Sequence, residues 1–501
     1  MSLILHLERS SSQALYLQIA EQIKVQICDG RLPATAQLPT VRQLARQLQV
    51  TRLTIQNAYG ELQSEGWVEA TIGRGTFVSA AVRPQTIPPS ITTLGDQRPT
   101  PDSVINDMIQ LQQLETEPMA GMRSMAVGAP DPKLFPTEEF WGAILSLQSD
   151  WTSLVGYGSP QGDPMLRVEI ASMLKQRHIH ATPDEIIVTA GTTHALSMVV
   201  QALAQAGDVV LVEQPTYLGF LHILKEQRIQ PVGIALDQEG PQLDALERAI
   251  QLHRPRFFYT SPTYQNPTGI CATMERRKAV LELAERYGIL IVEDDIYARL
   301  AYDTPPPLPL RSLDTNDSVV YVSSESKVLM PSLRVGYIVA PNALQGRLLS
   351  IRRATDLCSP TFLQRALATF LQDKGLQRHL KRTIPIYRRR RDALLFALRR
   401  YMPEEITWTE PAGGFCCWLT LPRTHALRDV HRAALEHRLA LAPGEVFLVH
   451  PSRELHLRLT FSSQNEEGIR AGIELLGELI SERLAKGNAE ADKIYDWTPL
   501  V

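Results

Sequence analysis

The sequence predicts two modules of different class: a winged helix-turn-helix over residues 1–79, then an α/β domain over 123–490 with a mostly parallel sheet and a small C-terminal α+β lobe from about 375. Three observations carry this. Isoleucines recur at four-residue spacing near the N-terminus, and two more helical patterns and a hairpin signal follow. Pro84, Pro88, Pro89, Pro99 and Pro101 crowd one stretch rich in Ser, Thr and Gln, which reads as a connector over 80–122. Beyond it, runs apolar on both faces alternate with helical patterns, the signature of a sheet covered on both sides.

In the first module, Leu15, Ile19, Ile23 and Ile27 share one helix face, and Gly30 ends it. Thr40 caps a second helix, Val41 to Leu48, with Leu44, Ala45 and Leu48 inward. A short turn at Gln49 and Val50 leads to Thr51, which caps a third helix running to about Glu65. Trp67–Ala70 and Thr76–Val78, flanking Ile72–Gly73–Arg74–Gly75, read as a hairpin. Two helices joined by a tight turn and followed by a hairpin make a winged helix-turn-helix. The whole chain carries a formal net charge of −3, so contact with nucleic acid has to be local. Arg42 and Arg52 stand near helix N-termini, where phosphates also meet backbone N–H groups. Thr51, Arg52 and Thr54 begin the helix that reads base edges in this motif, and Arg74 at the wing tip is placed for the minor groove.

In the connector, Asp102 is expected to cap a short helix from Ser103 to about Glu117. At roughly 40 residues it reaches about 30–40 Å as a flexible coil, enough for two half-sites one DNA turn apart. The chain of 501 residues suffices for a large core. Its cysteines, Cys28, Cys271, Cys358, Cys416 and Cys417, are odd in number and scattered. That argues for reduced thiols in a cytoplasm and against a disulfide scaffold or a zinc ribbon. No apolar run approaches about 18 residues, so no membrane span is expected, and the N-terminus lacks a secretory layout.

In the large domain, strands are expected at Ile186–Thr189, Val209–Val212, Phe257–Thr260, Ile289–Glu293 and Val319–Val322, with helices over His194–Ala206 and Met274–Tyr287 among others. Ligands in such folds gather at the strands' C-terminal ends, and the chemically loaded residues fall there. Gly191, Thr192 and Thr193 end one strand and start a helix, whose free N–H groups and dipole make a phosphate seat. Glu293–Asp294–Asp295 ends another. After Val319–Val322 come Ser323, Ser324 and Ser326, then Lys327, then Arg334. A lysine at a strand end beside hydroxyls and a guanidinium suits a Schiff base with an aldehyde cofactor, whose phosphate the hydroxyls and arginine hold. The run Arg388–Arg391, with Lys381 and Arg382, reads as a solvated helix face that could give a second DNA contact.

The pieces Arg-Leu-Pro, Leu-Pro-Thr-x-Arg-x-Leu-Ala, Thr-Arg-x-Thr-Ile and Gly-x-Gly-Thr-Phe-Val, in that order within residues 31–78, closely resemble the GntR DNA-binding domain. Ser-x-Ser-Lys, Pro331 and Leu-Arg-x-Gly-Tyr resemble the lysine segment of fold-type I pyridoxal-phosphate (PLP) aminotransferases. Over nearly its whole length the chain resembles the MocR group of GntR-type regulators, in which the two are fused. Glu325 departs from that pattern, where an aromatic residue is usual.

The resemblance implies PLP as cofactor, bound through Lys327. It implies that Tyr217 stacks on the ring, that Asn266 and Tyr297 meet its O3′ oxygen, and that Asp294 keeps the ring nitrogen protonated, with Asp295 as the rival for that role. Arg458 would grip an amino acid's α-carboxylate, and Tyr157 would reach the phosphate of a partner subunit, making a homodimer. Two winged modules per dimer imply double-stranded DNA with two half-sites. The function implied is a transcriptional regulator whose aminotransferase-like domain senses PLP or a small amino compound. A working aminotransferase with an accessory DNA module is the alternative.

Overall fold

The computed structural model describes residues 14–28, 32, 35–64, 67–71, 75–79 and 121–495. The chain divides into two compact units, with the break after Pro101. The expected helix over 103–117 and the wing-tip residue Arg74 lie outside the described residues.

In the first unit, α1 (Leu15–Cys28), α2 (Val41–Leu48) and α3 (Arg52–Ser64) precede the hairpin β1 (Val68–Thr71) and β2 (Gly75–Val78). Thr40 accepts the Gln43 N–H at 3.3 Å while the Gln43 side chain accepts the Thr40 N–H at 3.0 Å, a reciprocal cap that starts α2. The Thr51 hydroxyl accepts the Thr54 N–H at 3.2 Å and so starts α3. The hairpin pairs antiparallel from Val68↔Val78 to Thr71↔Gly75. Ile19, Ile23, Leu44, Ile55, Leu62, Val68 and Val78 form one buried core, as the spacing requires.

The second unit is built on an eight-stranded mixed sheet. Its strands, after a short β3 (Arg123–Ser124), are β4 (Ile186–Thr189), β5 (Val209–Gln214), β6 (Gln230–Asp237), β7 (Gly240–Pro241), β8 (Phe257–Thr260), β9 (Leu290–Asp294), β10 (Val319–Ser324) and β11 (Gly336–Val339). They lie in the order β4-β11-β10-β9-β8-β5-β6-β7. The central pairs β10–β9, β9–β8, β8–β5 and β5–β6 are parallel, while β11 opposes both its neighbours and β7 opposes β6. Alternate residues feed two cores. Val212, Tyr259, Val292 and Val320 pack on one face, and Leu211, Phe258, Ile291 and Val319 on the other. The small lobe adds β12 (Thr407–Trp408), β13 (Cys416–Leu421), β14 (Leu439–Ala440), β15 (Ala442–Pro443) and β16 (Leu455–Thr460), with long helices Gly375–Tyr401 and Glu466–Tyr495. β14 pairs parallel with β3, so the segment from residue 123 onward is tied to this lobe.

Two expectations need correction. Strands β9 and β10 run on to Asp294 and Ser324, past the apolar runs, because polar residues there are buried in the site rather than solvated. The Arg388–Arg391 run is not a solvated face: Arg390 and Arg391 are buried, paired with Asp131 at 2.7 Å and Asp303 at 2.9 Å. The exposed pair is also engaged, Arg388 with Asp303 at 3.1 Å and Arg389 with Glu466 at 3.2 Å. No helix among the described residues is long and apolar enough to cross a membrane.

Candidate functional site

The C-terminal ends of β8, β9 and β10 converge on a small cavity of about 30 Å³ lined by Thr192, Tyr259, Asn266, Asp294, Tyr297 and Lys327 among others. An open cleft of about 740 Å³ shares Tyr217 with it and is lined by Thr193, Arg334, Phe447 and Arg458. Residues far apart in sequence thus meet at the C-terminal ends of the central strands.

The neighbouring carboxylates at the end of β9 separate cleanly. Asp294 faces the cavity: its Oδ2 accepts the Tyr259 hydroxyl at 3.0 Å and its Oδ1 the Ile296 N–H at 3.3 Å. Among the described residues no basic side chain pairs with it, and burial lifts its pKa from 3.8 to about 7. Asp295 points away, to Arg177 at 3.2 Å and the Tyr321 hydroxyl at 2.9 Å. Successive strand residues face opposite sides, so only one of the two can serve the cavity.

Lys327 follows β10 in a turn and donates from Nζ to the Gly128 carbonyl at 2.6 Å. Its loop is fixed by the Ser324 hydroxyl, which lies 2.7 Å from the Ser326 hydroxyl and 2.8 Å from the Val335 carbonyl. Glu325 is buried in that turn, with Arg299 at 3.9 Å as its ionic partner. Burial raises the Glu325 pKa, and Arg299 opposes the rise. An arginine thus accompanies this buried carboxylate.

At the start of the helix Thr192–Leu203, Gly191 has φ 89°, and a Cβ on it would meet the Arg334 guanidinium at 2.8 Å. Arg334 donates to the Ala190 carbonyl at 2.9 Å, so the guanidinium lies against this glycine turn. The Thr192 hydroxyl is buried without a partner among the described residues. A close backbone approach, a guanidinium and a free buried hydroxyl together suit a phosphate.

Asn266 sits in a turn that Gln265 locks. The Gln265 side chain donates to Glu213 at 3.1 Å and accepts from the Thr268 N–H at 2.9 Å. The Asn266 Oδ1 accepts from Arg458 Nη1 at 3.0 Å, which leaves the amide NH₂ to donate elsewhere. Arg458, on β16, is buried rather than on a surface ladder. It also donates to the Ala126 carbonyl, and its guanidinium lies 4.7 Å from the Phe447 ring centroid. The Tyr297 hydroxyl is buried and has no partner among the described residues. Tyr157 lines neither space, and its residue is 92% exposed.

In the first unit, Arg42, Thr51 and Arg52 are exposed and Thr54 is half-buried, its hydroxyl 2.8 Å from that of Thr51. Gln56 and Asn57 are exposed on α3 one turn after Arg52. The sequence reading missed them, although helical spacing from Arg52 marks that face. It also missed Tyr259, hidden within the apolar run of β8.

Residues 125–476 match the family "Aminotransferase class I and II", and residues 15–78 match "Bacterial regulatory proteins, gntR family". The chain is 30% identical to the HTH-type transcriptional regulator YdfD of Bacillus subtilis over 93% of this chain and 96% of that one. It is 28% identical to the probable rhizopine catabolism regulatory protein MocR of Rhizobium meliloti, over 94% and 95% of the two chains. Among solved structures it is similar to LysN, the alpha-aminoadipate aminotransferase of Thermus thermophilus complexed with N-(5'-phosphopyridoxyl)-L-leucine. There the TM-score is 0.70 and the identity 33%, covering 76% of this chain and 95% of that one.

Proposed function

The chain belongs to the MocR type of GntR regulators, a DNA-binding domain joined to a class I and II aminotransferase domain whose cofactor is PLP, and from that premise we propose that occupancy of the PLP site sets its affinity for an operator. One observation carries the reading. Lys327, Asp294, Asn266, Tyr297 and Arg458 meet at the C-terminal ends of the central strands in the same chain that presents Arg42 and Arg52 on an exposed helix-turn-helix.

The residues present fit PLP. Among the described residues the buried Tyr297 and Thr192 hydroxyls have no partner and the Asp294 carboxylate no cation, and the Gly191 turn would be filled by a side chain. Lys327 would hold the cofactor covalently, with Tyr217 against its ring. Asp294 would accept a hydrogen bond from the ring nitrogen, while the Asn266 amide and the Tyr297 hydroxyl would donate to its phenolic oxygen. Gly191, Thr192, Thr193, Ser324, Ser326 and Arg334 would hold its phosphate. When bound, PLP supplies an aldehyde for an incoming amine and a sink for electrons from the carbon beside it. Arg458 would orient a ligand's carboxylate by a two-pronged contact, and burial would keep water from that contact. Thr51, Arg52, Thr54 and Arg42 would meet the DNA. Tyr157, exposed in one chain, would complete the phosphate site of a second copy, giving a homodimer, an operator of two half-sites and a protein that works in the cytoplasm.

A catalytic reading, transamination of an amino acid, is favoured by the same converging site and by the likeness to LysN. Binding-site selection with the purified protein, with and without PLP, separates the two. Enrichment of a two-part site whose affinity depends on PLP supports regulation. Rapid turnover of an amino acid, with selection yielding no preferred sequence, would replace it.

A further inference from the structure

We propose that Tyr259 is the positioning residue of this site: its phenol, held against Phe220, fixes the Asp294 carboxylate in the cavity and favours its charged form for the pyridine nitrogen of PLP. The inference rests on the PLP reading above. Tyr259 pairs in register with Val292 on the parallel neighbour β9. Asp294 lies two residues beyond Val292, so both side chains leave the same face, about 7 Å apart along the strand. A tyrosine spans that distance, and its hydroxyl meets Asp294 Oδ2 at 3.0 Å.

The ring has little freedom. Phe220, one turn beyond Tyr217 in the helix Leu218–Glu226, stacks on it at 3.9 Å with planes 22° apart, and both rings are fully buried. Among the described residues, the other donor to the Asp294 carboxylate is the backbone N–H of Ile296, at 3.3 Å. Among the described residues Tyr259 is therefore the one side-chain donor to this carboxylate, and its hydrogen bond opposes the rise that burial brings. Burial and the neighbouring carboxylate also hold the phenol's own proton, so it can only donate. A donor to the charged form favours that form. An ionised Asp294 is what a protonated ring nitrogen requires. Tyr321 supplies a contrast, a buried phenol whose carboxylate partner lies outside the site. Its hydroxyl donates to Asp295 at 2.9 Å in the same sheet, but it lines neither space.

The test uses the full-length protein stripped of cofactor and titrated with PLP. Tyr259→Phe is expected to weaken the dissociation constant about 10- to 100-fold, the usual scale for one hydrogen bond to a charged group. It should also move the pH midpoint of the bound cofactor's visible band by about one unit or more. Tyr321→Phe is expected to leave both unchanged, with circular dichroism showing both variants folded. Unchanged affinity and midpoint in Tyr259→Phe, or equal changes in the two variants, would overturn the role of Tyr259. Asp294→Ala distinguishes the failures. If it loses PLP while Tyr259→Phe does not, only the tyrosine inference falls; if it binds PLP as the wild type does, the reading of the site falls too.

Discussion

The two units present their chemistry in opposite ways. In the helix-turn-helix, Arg42, Arg52 and Gln56 are exposed, over a core built mainly of aliphatic side chains. In the aminotransferase domain, Asp294, Tyr297 and Arg458 are themselves buried and are part of what the sheet packs around. An exposed contact can be removed without disturbing the fold. A buried polar one leaves partners unpaired, so its removal costs stability as well as function.

The sharpest way to break this contrast is at Lys327. Borohydride reduction of the protein with PLP, followed by peptide mapping, should place the cofactor on Lys327, and Lys327→Ala should abolish the label and the visible band. Label on another lysine would remove the buried site from the comparison. Next in size is Arg52→Ala. It should lower affinity for the selected operator by about 1–3 kcal/mol, with the thermal midpoint and PLP absorbance unchanged, as a gel-shift titration and a melt would read. Arg458→Ala should behave differently. It removes a guanidinium that donates to Asn266 Oδ1 and the Ala126 carbonyl and should cost about 1–3 kcal/mol of stability while abolishing the response to amino compounds. An Arg458→Ala protein that melts like the wild type would blur the distinction.

Much of the fold was legible because parallel strands buried on both faces leave continuous apolar runs, and β4 and β8 begin and end where those runs do. Residues in short fixed motifs, such as Lys327 after its serines or Asn266 before Pro267 and Gly269, could be singled out one by one. What could not be read depends on direction or on distant partners. Asp294 and Asp295 are adjacent and chemically alike; only the pleat, with Arg177 waiting on one side, separates their roles. Tyr259 looked like one more apolar residue in a strand, since its hydroxyl's partner lies 35 positions on. Arg390 and Arg391 looked like surface charge because Asp131 and Asp303, which neutralise them, come from distant loops.

Smaller effects sharpen the same comparison. Thr40→Ala removes the cap of α2 and should destabilise the DNA-binding unit by about 0.5–2 kcal/mol, seen as an earlier melt of that unit alone, with PLP binding intact. A pH effect in the cofactor-free protein bears on the buried site alone. Asp294 has its pKa raised from 3.8 to about 7, so the native state binds its proton more tightly than the unfolded chain does. Stability should therefore fall as pH rises through that window and be fully reduced above it. Asp294→Asn should flatten the fall in part; Glu293, also raised to about 7, keeps the rest. A wild-type melting temperature that rises with pH across the window would contradict the sign.

The proposed control of DNA affinity by occupancy of the site around Lys327 joins the two units' chemistry. It is tested most directly by measuring operator affinity of the wild type and of Lys327→Ala across a PLP titration, with and without an amino compound found by screening. Wild-type affinity is expected to change with PLP and again with the amino compound, while Lys327→Ala holds one constant affinity throughout. A wild type indifferent to PLP, or a Lys327→Ala protein that responds equally, would contradict it.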